Sequence, residues 1–393
     1  MKRYVELDSL RGIVALCVIF YHFVFIMSEV PDWIQFVNIT PLRFLRGGHE
    51  AVIFFFVLSG FVLSLPFLKQ TRKKYISFLT ARVFRIYVPY ISILILALLL
   101  YYATYSASMI NNHWWSTPIT MGELFRQLLL VPEFNDSAIN PVVWSLTQEM
   151  RISIIFPLII IAIMKFRWYI NITLGVFLSV LSLALNYFFP STYLNPISTN
   201  YFYTLHYIGM FIVGALLALN KDKIVNSIKS STRAHKYLLL LAGIIFYSYS
   251  GGIDKVLKKI FSSNQGLPWM NLIADWGITL GVALIIISAL SIVKLSNILK
   301  LRPFTFLGDI SYSLYLVHAV ILLSFIHLFQ NSVALWQLEL LVLIVVIPVA
   351  YLCYLFIELP SKRFGKILVQ KFENAQLESS VSSSPEIKTN INS

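Results

Sequence analysis

Charged residues are scarce in this sequence: lysine, arginine, aspartate and glutamate together make up 12% of its 393 residues. Water-soluble globular domains carry about 25%, whereas hydrophobic residues here reach 58%. A chain this poor in charge cannot cover a large water-facing surface. The composition therefore argues against an ordinary soluble protein and predicts an all-α, polytopic integral membrane protein.

Cysteine is equally rare, because the chain has only Cys17 and Cys353, both inside apolar runs. They offer no disulfide framework and no cysteine-based metal site. The sequence also lacks a His-Glu-x-x-His zinc motif, a Gly-x-Ser-x-Gly nucleophile elbow and a P-loop. We therefore predict no metal, and these motifs give no support to a zinc hydrolase, a serine hydrolase of that type or a P-loop enzyme.

Long apolar windows are abundant, and a window of about 20 residues is long enough to cross a bilayer as a helix. They predict about ten transmembrane helices, at 10–29, 49–68, 84–104, 149–164, 168–189, 201–219, 236–251, 271–293, 309–329 and 336–357. Residues 1–368 form the predicted transmembrane domain. Residues 369–393 are polar and rich in serine, so we expect a disordered tail.

The formal net charge of +13 is explained by topology, because short cytoplasmic loops collect lysine and arginine. With both termini inside, most basic residues fall on the cytoplasmic side. The outer side keeps Arg43, Arg46, Arg126, Arg151, Lys255, Lys258 and Lys259. We therefore predict cytoplasmic N- and C-termini, a multi-pass protein of the inner (plasma) membrane in contact with its lipids, and no nucleic-acid partner.

The first predicted span contains Arg11 and His22. Eleven residues of helix rise about 16 Å and leave the two side chains about 20° apart, so both lie on one face. Ionisable groups inside a membrane usually face a cavity or a partner. One interpretation is a snorkelling arginine with a structural histidine; the other is a cation that anchors a ligand below a buried general base.

Arg82 and Arg85 are spaced i, i+3 at the cytoplasmic end of the third span and are predicted to share a helical face. They either contact lipid headgroups or clamp the phosphates of a donor such as a coenzyme A nucleotide. Glu149 is predicted at the outer entrance of the fourth span. There it either pairs with Arg151 or orients His22, raising its basicity.

Several further polar or aromatic residues are compatible with either a packing role or a functional role. Ser59 and Gly60 allow close helix approach, His49 fits a surface histidine, and Trp144 fits either a membrane-interface residue or a sugar-stacking one. Ser311, Tyr315 and His318 form a polar stripe at i, i+4, i+7. We include Ser59, Trp144, Tyr315 and His318 as possible supporting residues of a site.

Taken together, these segments resemble the acyltransferase 3 family of integral membrane acyltransferases over about residues 4–364. The matching motifs are Glu6-Leu-Asp-Ser-Leu-Arg11-Gly with His22, Phe54-Phe-Phe-Val-Leu-Ser-Gly-Phe61, Arg82-x-x-Arg85-Ile-x-x-Pro89, Trp144-Ser-Leu-x-x-Glu149, Ile310-Ser-Tyr-Ser-Leu-Tyr-Leu-Val-His318 and Glu358-x-Pro360. One departure is Ala51-Val52-Ile53, where many members have Gly-Val-Asp.

The resemblance implies about ten helices, an acyl-coenzyme A donor (usually acetyl-coenzyme A) and acylation of hydroxyls, mostly on surface glycans. The implied acceptor is therefore a saccharide or a lipid-linked glycan. We expect His22, Glu149 and Arg11 to be catalytic, and Arg82, Arg85 and Arg11 to bind the donor. Transfer is either direct or through an acyl group held on His22 or a serine. The rival hypotheses are a transporter or flippase for lipid-linked saccharides and a non-catalytic scaffold.

Overall fold

The structure is a computed structural model that describes residues 3–26, 32–69, 75–104, 114–115, 118–190, 199–253, 268–329 and 332–382. Those residues are almost entirely helical and contain no strand. The helices are α1 Val5–Phe25, α2 Asp32–Ile39, α3 Gly48–Ser64, α4 Tyr75–Arg82, α5 Val88–Thr104, α6 Met121–Leu129, α7 Val143–Lys165, α8 Trp168–Phe188, α9 Tyr201–Ser230, α10 Arg233–Tyr249, α11 Pro268–Ser291, α12 Val293–Leu299, α13 Arg302–Phe329, α14 Leu335–Cys353 and α15 Leu359–Ser382.

Eight helical segments in the described part of the chain are long and apolar enough to cross a membrane. This confirms the all-α polytopic class. Two of the ten predicted spans correspond to shorter helices, α3 and α10, of 17 residues each. The fourth span begins at Val143, six residues before the predicted start, because Trp144-Ser-Leu-Thr-Gln is too polar to register as an apolar window.

Helices α1 and α13 run parallel and in close contact, and glycines make that contact possible. A Cβ atom on Gly12 would lie 2.4 Å from the backbone carbon of Leu307, and one on Gly308 would lie 2.6 Å from the carbonyl oxygen of Asp8. Close backbone approach of this kind is typical of helix pairs in membranes. We call the end of the bundle where α1 and α13 begin the inner end, and the opposite one the outer end.

Two π-helical turns widen the helices near the inner end. Val83–Tyr87 joins α4 to α5, and Tyr354–Glu358 joins α14 to α15. A π turn displaces the regular hydrogen bonds, and side chains from neighbouring helices supply donors to its carbonyls. Ser361 donates to the Phe84 carbonyl, and the Tyr312 hydroxyl donates to the Ile86 carbonyl at 2.8 Å.

The C-terminal segment differs from the expected disordered tail. Residues 369–382 continue α15, and Val369 is 6% exposed. This stretch is rich in Gln, Lys, Glu, Ala and Leu, which favour helix, and the preceding turns of α15 pack against α4. Residues 383–393 lie outside the described residues.

Candidate functional site

A cavity of about 690 Å³ lies at the inner half of the bundle, between α1, α3, α7, α13, α15 and the Val83–Tyr87 turn. Its mouth is lined by Arg3, Asp309, Arg363 and Lys366. Arg3 donates to Asp8 at 2.7 Å and to Asp309 at 2.5 Å. These two hydrogen bonds raise the pKa of the Arg3 guanidinium, so the mouth keeps this cation over the whole physiological range.

Two arginines line the cavity above its mouth. Arg11 is 18% exposed at its side chain and contacts Asp8 at 3.3 Å. Arg85 is half-buried and makes no ion pair with any residue in the described part of the chain. Guanidinium groups that line an internal cavity are well suited to bind the phosphate groups of a ligand. Of the three arginines expected to bind the donor, Arg11 and Arg85 line the cavity and Arg82 does not.

The guanidinium of Arg82 is bonded to other side chains of the protein. Its Nη2 donates to Glu149 Oε1 at 2.6 Å and its Nε donates to Ser153 Oγ at 3.1 Å, with 5% of the residue exposed. The π turn that follows Arg82 rotates Arg85 towards the cavity, so the two do not share a face. The surface pair of Glu149 with Arg151 is not formed, since the Arg151 Nε donates to a backbone carbonyl instead.

The predicted contact of Glu149 with His22 is wrong. Ser59 donates to Glu149 Oε1 at 2.9 Å, which places the carboxylate level with Ser59. Gly48, at the outer end of the same helix, packs on the ring of Tyr21. Ser59 lies eleven residues from Gly48, which is about 16 Å towards the inner end. Glu149 is therefore deep in the bundle, at the level of Arg11, and far below His22.

His22 instead contacts His318. The His22 Nδ1 and His318 Nε2 atoms are 3.1 Å apart, and the two rings are 8% and 1% exposed. Helices α1 and α13 therefore stay in register from Gly12 and Gly308 up to the two histidines. His22 lies on the side of α1 that faces α13, and Arg11 lines the cavity that residues of α13 also line.

Backbone carbonyls determine which ring nitrogens carry the protons. His22 Nδ1 is 2.9 Å from the Val18 carbonyl oxygen, and His318 Nδ1 is 3.2 Å from that of Leu314. A carbonyl only accepts, so both Nδ1 atoms carry hydrogen when the rings are neutral. His318 Nε2 then offers its lone pair to the His22 Nδ1–H. The remaining nitrogen, His22 Nε2, is then unprotonated and able to accept a proton.

Tyr315 and its neighbours form the upper end of the cavity. The Tyr315 hydroxyl is 2.7 Å from Ser145 Oγ and donates to the Val142 carbonyl at 3.0 Å. The ring packs edge-on against Phe55 with centroids 5.5 Å apart. Both histidines lie beyond this ceiling, because the cavity lining reaches Ser145 and Tyr315 but includes neither His22 nor His318.

Aromatic rings surround His22 on its outer side. The Trp114 ring lies 5.3 Å from the His22 ring and stacks on Phe25 at 5.0 Å. Trp144 lies elsewhere, against Phe56 and Tyr207. Of these two tryptophans, Trp114 is therefore the one next to the histidine pair.

A second polar cluster, which the sequence did not reveal, lies at the outer end. Asp275 is 5% exposed and accepts from His49 Nε2 at 2.7 Å and from His206 Nε2 at 3.0 Å. His206 in turn contacts Ser179 at 2.9 Å. His49, interpreted from the sequence as a surface histidine, is 47% exposed at its side chain and is bonded to this buried carboxylate. The available signals were an aspartate inside the eighth apolar window and His206 inside the sixth.

Comparison with known proteins gives one family. The family model Acyl_transf_3, which is described as an acyltransferase domain, matches residues 4–355. No curated protein and no solved structure matches the chain.

Proposed function

Since the chain belongs to the acyltransferase 3 family of membrane acyltransferases, we propose that it transfers an acyl group, most simply acetyl, from acyl-coenzyme A to a hydroxyl of a saccharide or lipid-linked glycan. The observation that supports this proposal is that a basic cavity and a buried histidine pair follow one another along α1. A cavity lined by Arg11 and Arg85 lies at one end, and a buried histidine pair lies beyond the other.

The donor enters from the inner end, which is predicted to be cytoplasmic. Its phosphates bind Arg11 and Arg85, because Arg82 is already neutralised by Glu149 at 2.6 Å. His22 lies at the same height in the bundle as His318. Because the two helices run parallel, Tyr315, three residues before His318, is level with Ile19, three residues before His22. Tyr315 then lies about 12 Å above Arg11. The thioester is carried along this path towards the histidines.

His22 is the general base. Its Nε2 takes the proton of the acceptor hydroxyl, and the alkoxide oxygen forms a bond to the thioester carbonyl carbon. The C–S bond breaks, and the thiolate leaves and recovers a proton from the imidazolium. In that imidazolium the Nδ1–H remains bonded to Val18 and His318, so the positive charge is stabilised without a carboxylate. His318 thus replaces Glu149 as the partner that orients the base.

The acceptor approaches from the outer end, where Trp114 lies over His22. An indole ring beside the base offers a flat apolar surface on which a sugar ring can stack. Family membership favours group transfer over the rival transporter hypothesis. The route through an acyl group held on His22 differs from direct transfer in one observable: incubation with donor alone would add the acyl mass to the protein.

The test uses purified protein with acetyl-coenzyme A and measures both donor binding and release of free thiol in the presence of a saccharide acceptor. A general base contributes about 10²–10⁴ in rate, so His22→Ala should lose thiol release to this extent and keep donor binding. Arg85→Ala should weaken donor binding. His235→Ala, at an exposed position on α10, is the control and should match wild type.

Each alternative has a distinct result. Wild-type turnover in His22→Ala would remove the base assignment. Unchanged donor affinity in Arg85→Ala would remove the donor site. Transport of a lipid-linked saccharide into liposomes without any thioester would favour the transporter.

A further inference from the structure

The donor cavity and the histidine pair are separated by a side chain. Tyr315 is 5% exposed and lines the cavity from above. On its other side the ring lies 5.9 Å from the His318 ring. Tyr315 is therefore in contact with both the cavity and the base pair, and an acyl group that travels from one to the other has to pass it.

The position of this ring is held from several directions. Its hydroxyl is bonded to Ser145 Oγ and to the carbonyl of Val142, at the start of α7. Phe55 of α3 packs edge-on against the ring. Three helices, α3, α7 and α13, thus define the height of the ceiling, and small side-chain movements there change the space above the thioester.

The distance along α13 from Tyr315 to His318 is short. Tyr315 and His318 are three residues apart on α13, a rise of about 4.5 Å. This is comparable with the length of an acetyl group. The thioester lies at the end of the donor's flexible arm, so the acyl chain is the part of the donor that meets this ceiling. A long chain would collide with Tyr315, Phe55 or the histidines.

Resting on the proposed function, we propose that Tyr315 is the specificity-determining residue of this site: it separates the donor cavity from the His22–His318 pair and restricts the donor to short acyl groups. Phe55 supports it from α3. The substrate class that follows is an acyl-coenzyme A with a chain of about two to four carbons, and acetyl fits with the least displacement.

The experiment compares acetyl- and octanoyl-coenzyme A on wild type, Tyr315→Leu and Phe55→Leu. The first readout is binding of the corresponding non-reactive thioethers, and the second is kcat/KM for thiol release. Each methylene that a pocket accepts or rejects is worth about 10-fold or more in discrimination. The ratio of octanoyl to acetyl, in both binding and kcat/KM, should therefore rise at least about 10-fold in Tyr315→Leu, and in the same direction in Phe55→Leu.

Tyr90→Leu is the matched control. Tyr90 is 1% exposed and its hydroxyl donates to a backbone carbonyl, that of Gln127, at 2.8 Å, but it does not line the cavity. It should leave the ratio unchanged. If Tyr315→Leu does not fold, Phe55→Leu decides the question.

Two results would overturn the proposal: equal binding of the acetyl and octanoyl thioethers by wild type, or an unchanged ratio in the folded variants. Either can occur while acetyl transfer persists, so the failure of this inference is distinct from failure of the proposed function. Because the thioethers report binding without turnover, the ceiling is tested even in a protein that transfers nothing.

Discussion

At the scale of single residues, the charged groups in the bundle divide into those that are neutralised internally and those that face the cavity. Arg82 belongs to the first class, as it is bonded to Glu149 and Ser153. Arg85 belongs to the second. Both arginines occur in one short motif, so the sequence alone treats them as equivalent, whereas the tertiary structure assigns them opposite roles.

Replacing only one partner of the Arg82–Glu149 pair should lower the stability of the protein strongly. Removing one partner of a buried ion pair costs about 3–5 kcal/mol, because the other charge stays buried without compensation. Arg82→Met should lower the free energy of unfolding by about this amount. Adding Glu149→Gln to that variant should recover most of the loss, since no uncompensated charge is left. Denaturant or thermal unfolding in detergent micelles measures both.

Arg3→Met is the control for this prediction. Arg3 pairs with Asp8 and Asp309, but its side chain is 59% exposed, and exposed pairs contribute at most about 1 kcal/mol. A loss in Arg82→Met that is no larger than the loss in Arg3→Met would contradict the internal role of Arg82.

At the scale of helices, the contact between α1 and α13 controls the geometry of the histidine pair. Gly12 and Gly308 bring the backbones together near the inner end, and His22 meets His318 further along the same two helices. A change in the glycine contact is therefore expected to move the histidine pair that contains the proposed base.

Gly12→Ala tests that expectation. The added Cβ would lie 2.4 Å from a backbone atom of α13, which cannot yield as a side chain can. Overpacking of this kind costs about 1–3 kcal/mol, so the variant should unfold at lower temperature and should also lose kcat by displacing His22 from His318. Thermal unfolding and single-turnover thiol release measure the two effects.

Gly122→Ala is the matched control, because its added Cβ meets nothing nearer than 3.9 Å. It should keep both stability and rate. If Gly12→Ala behaves like Gly122→Ala, the α1–α13 contact does not position the base.

Helical periodicity explains which parts of the site were predictable. Arg11 with His22, and Ser311, Tyr315 and His318, each lie on one helix, so their spacing alone gives their shared face. The partner of His22 was not predictable in this way. It depends on how helices pair: the sequence analysis offered Glu149, and the structure has His318 in that place.

The depth of Glu149 was also not predictable from the sequence, because it depends on where its helix begins. Its helix begins at Val143, in a stretch without an apolar signal, and the six extra residues move the carboxylate about 9 Å further into the bundle. The π turn after Arg82 is likewise invisible to a pattern search based on 3.6 residues per turn, yet it determines where Arg85 points.

At the scale of the whole molecule, the C-terminal helical segment is longer than a bilayer is thick. Residues 335–382 are helical throughout, including the π turn at Tyr354–Glu358. Their length is about 70 Å, compared with about 30 Å for the hydrocarbon core. The part near the cavity mouth carries Lys362, Arg363 and Lys366.

The orientation of the bundle in the membrane is a prediction that cysteine labelling can test. The two natural cysteines are replaced by alanine, and Met121→Cys or Lys223→Cys is added, both at exposed positions. With the inner end cytoplasmic, a membrane-impermeant maleimide applied to intact cells should label position 121 and leave position 223 unlabelled until the cells are lysed. The reverse pattern would place the donor cavity on the outside.

The distance of about 12 Å between Arg11 and Tyr315 has a consequence for how such an enzyme responds to the cell. In the proposed function the arginines bind the nucleotide end of the donor, which is identical in acyl-coenzyme A and in the free coenzyme left after transfer. Only the far end of the cavity senses whether a chain is attached. Free coenzyme A therefore competes with acyl-coenzyme A for the cavity with nearly equal affinity. The transfer rate then follows the acylated fraction of the coenzyme A pool more closely than the total amount of coenzyme A.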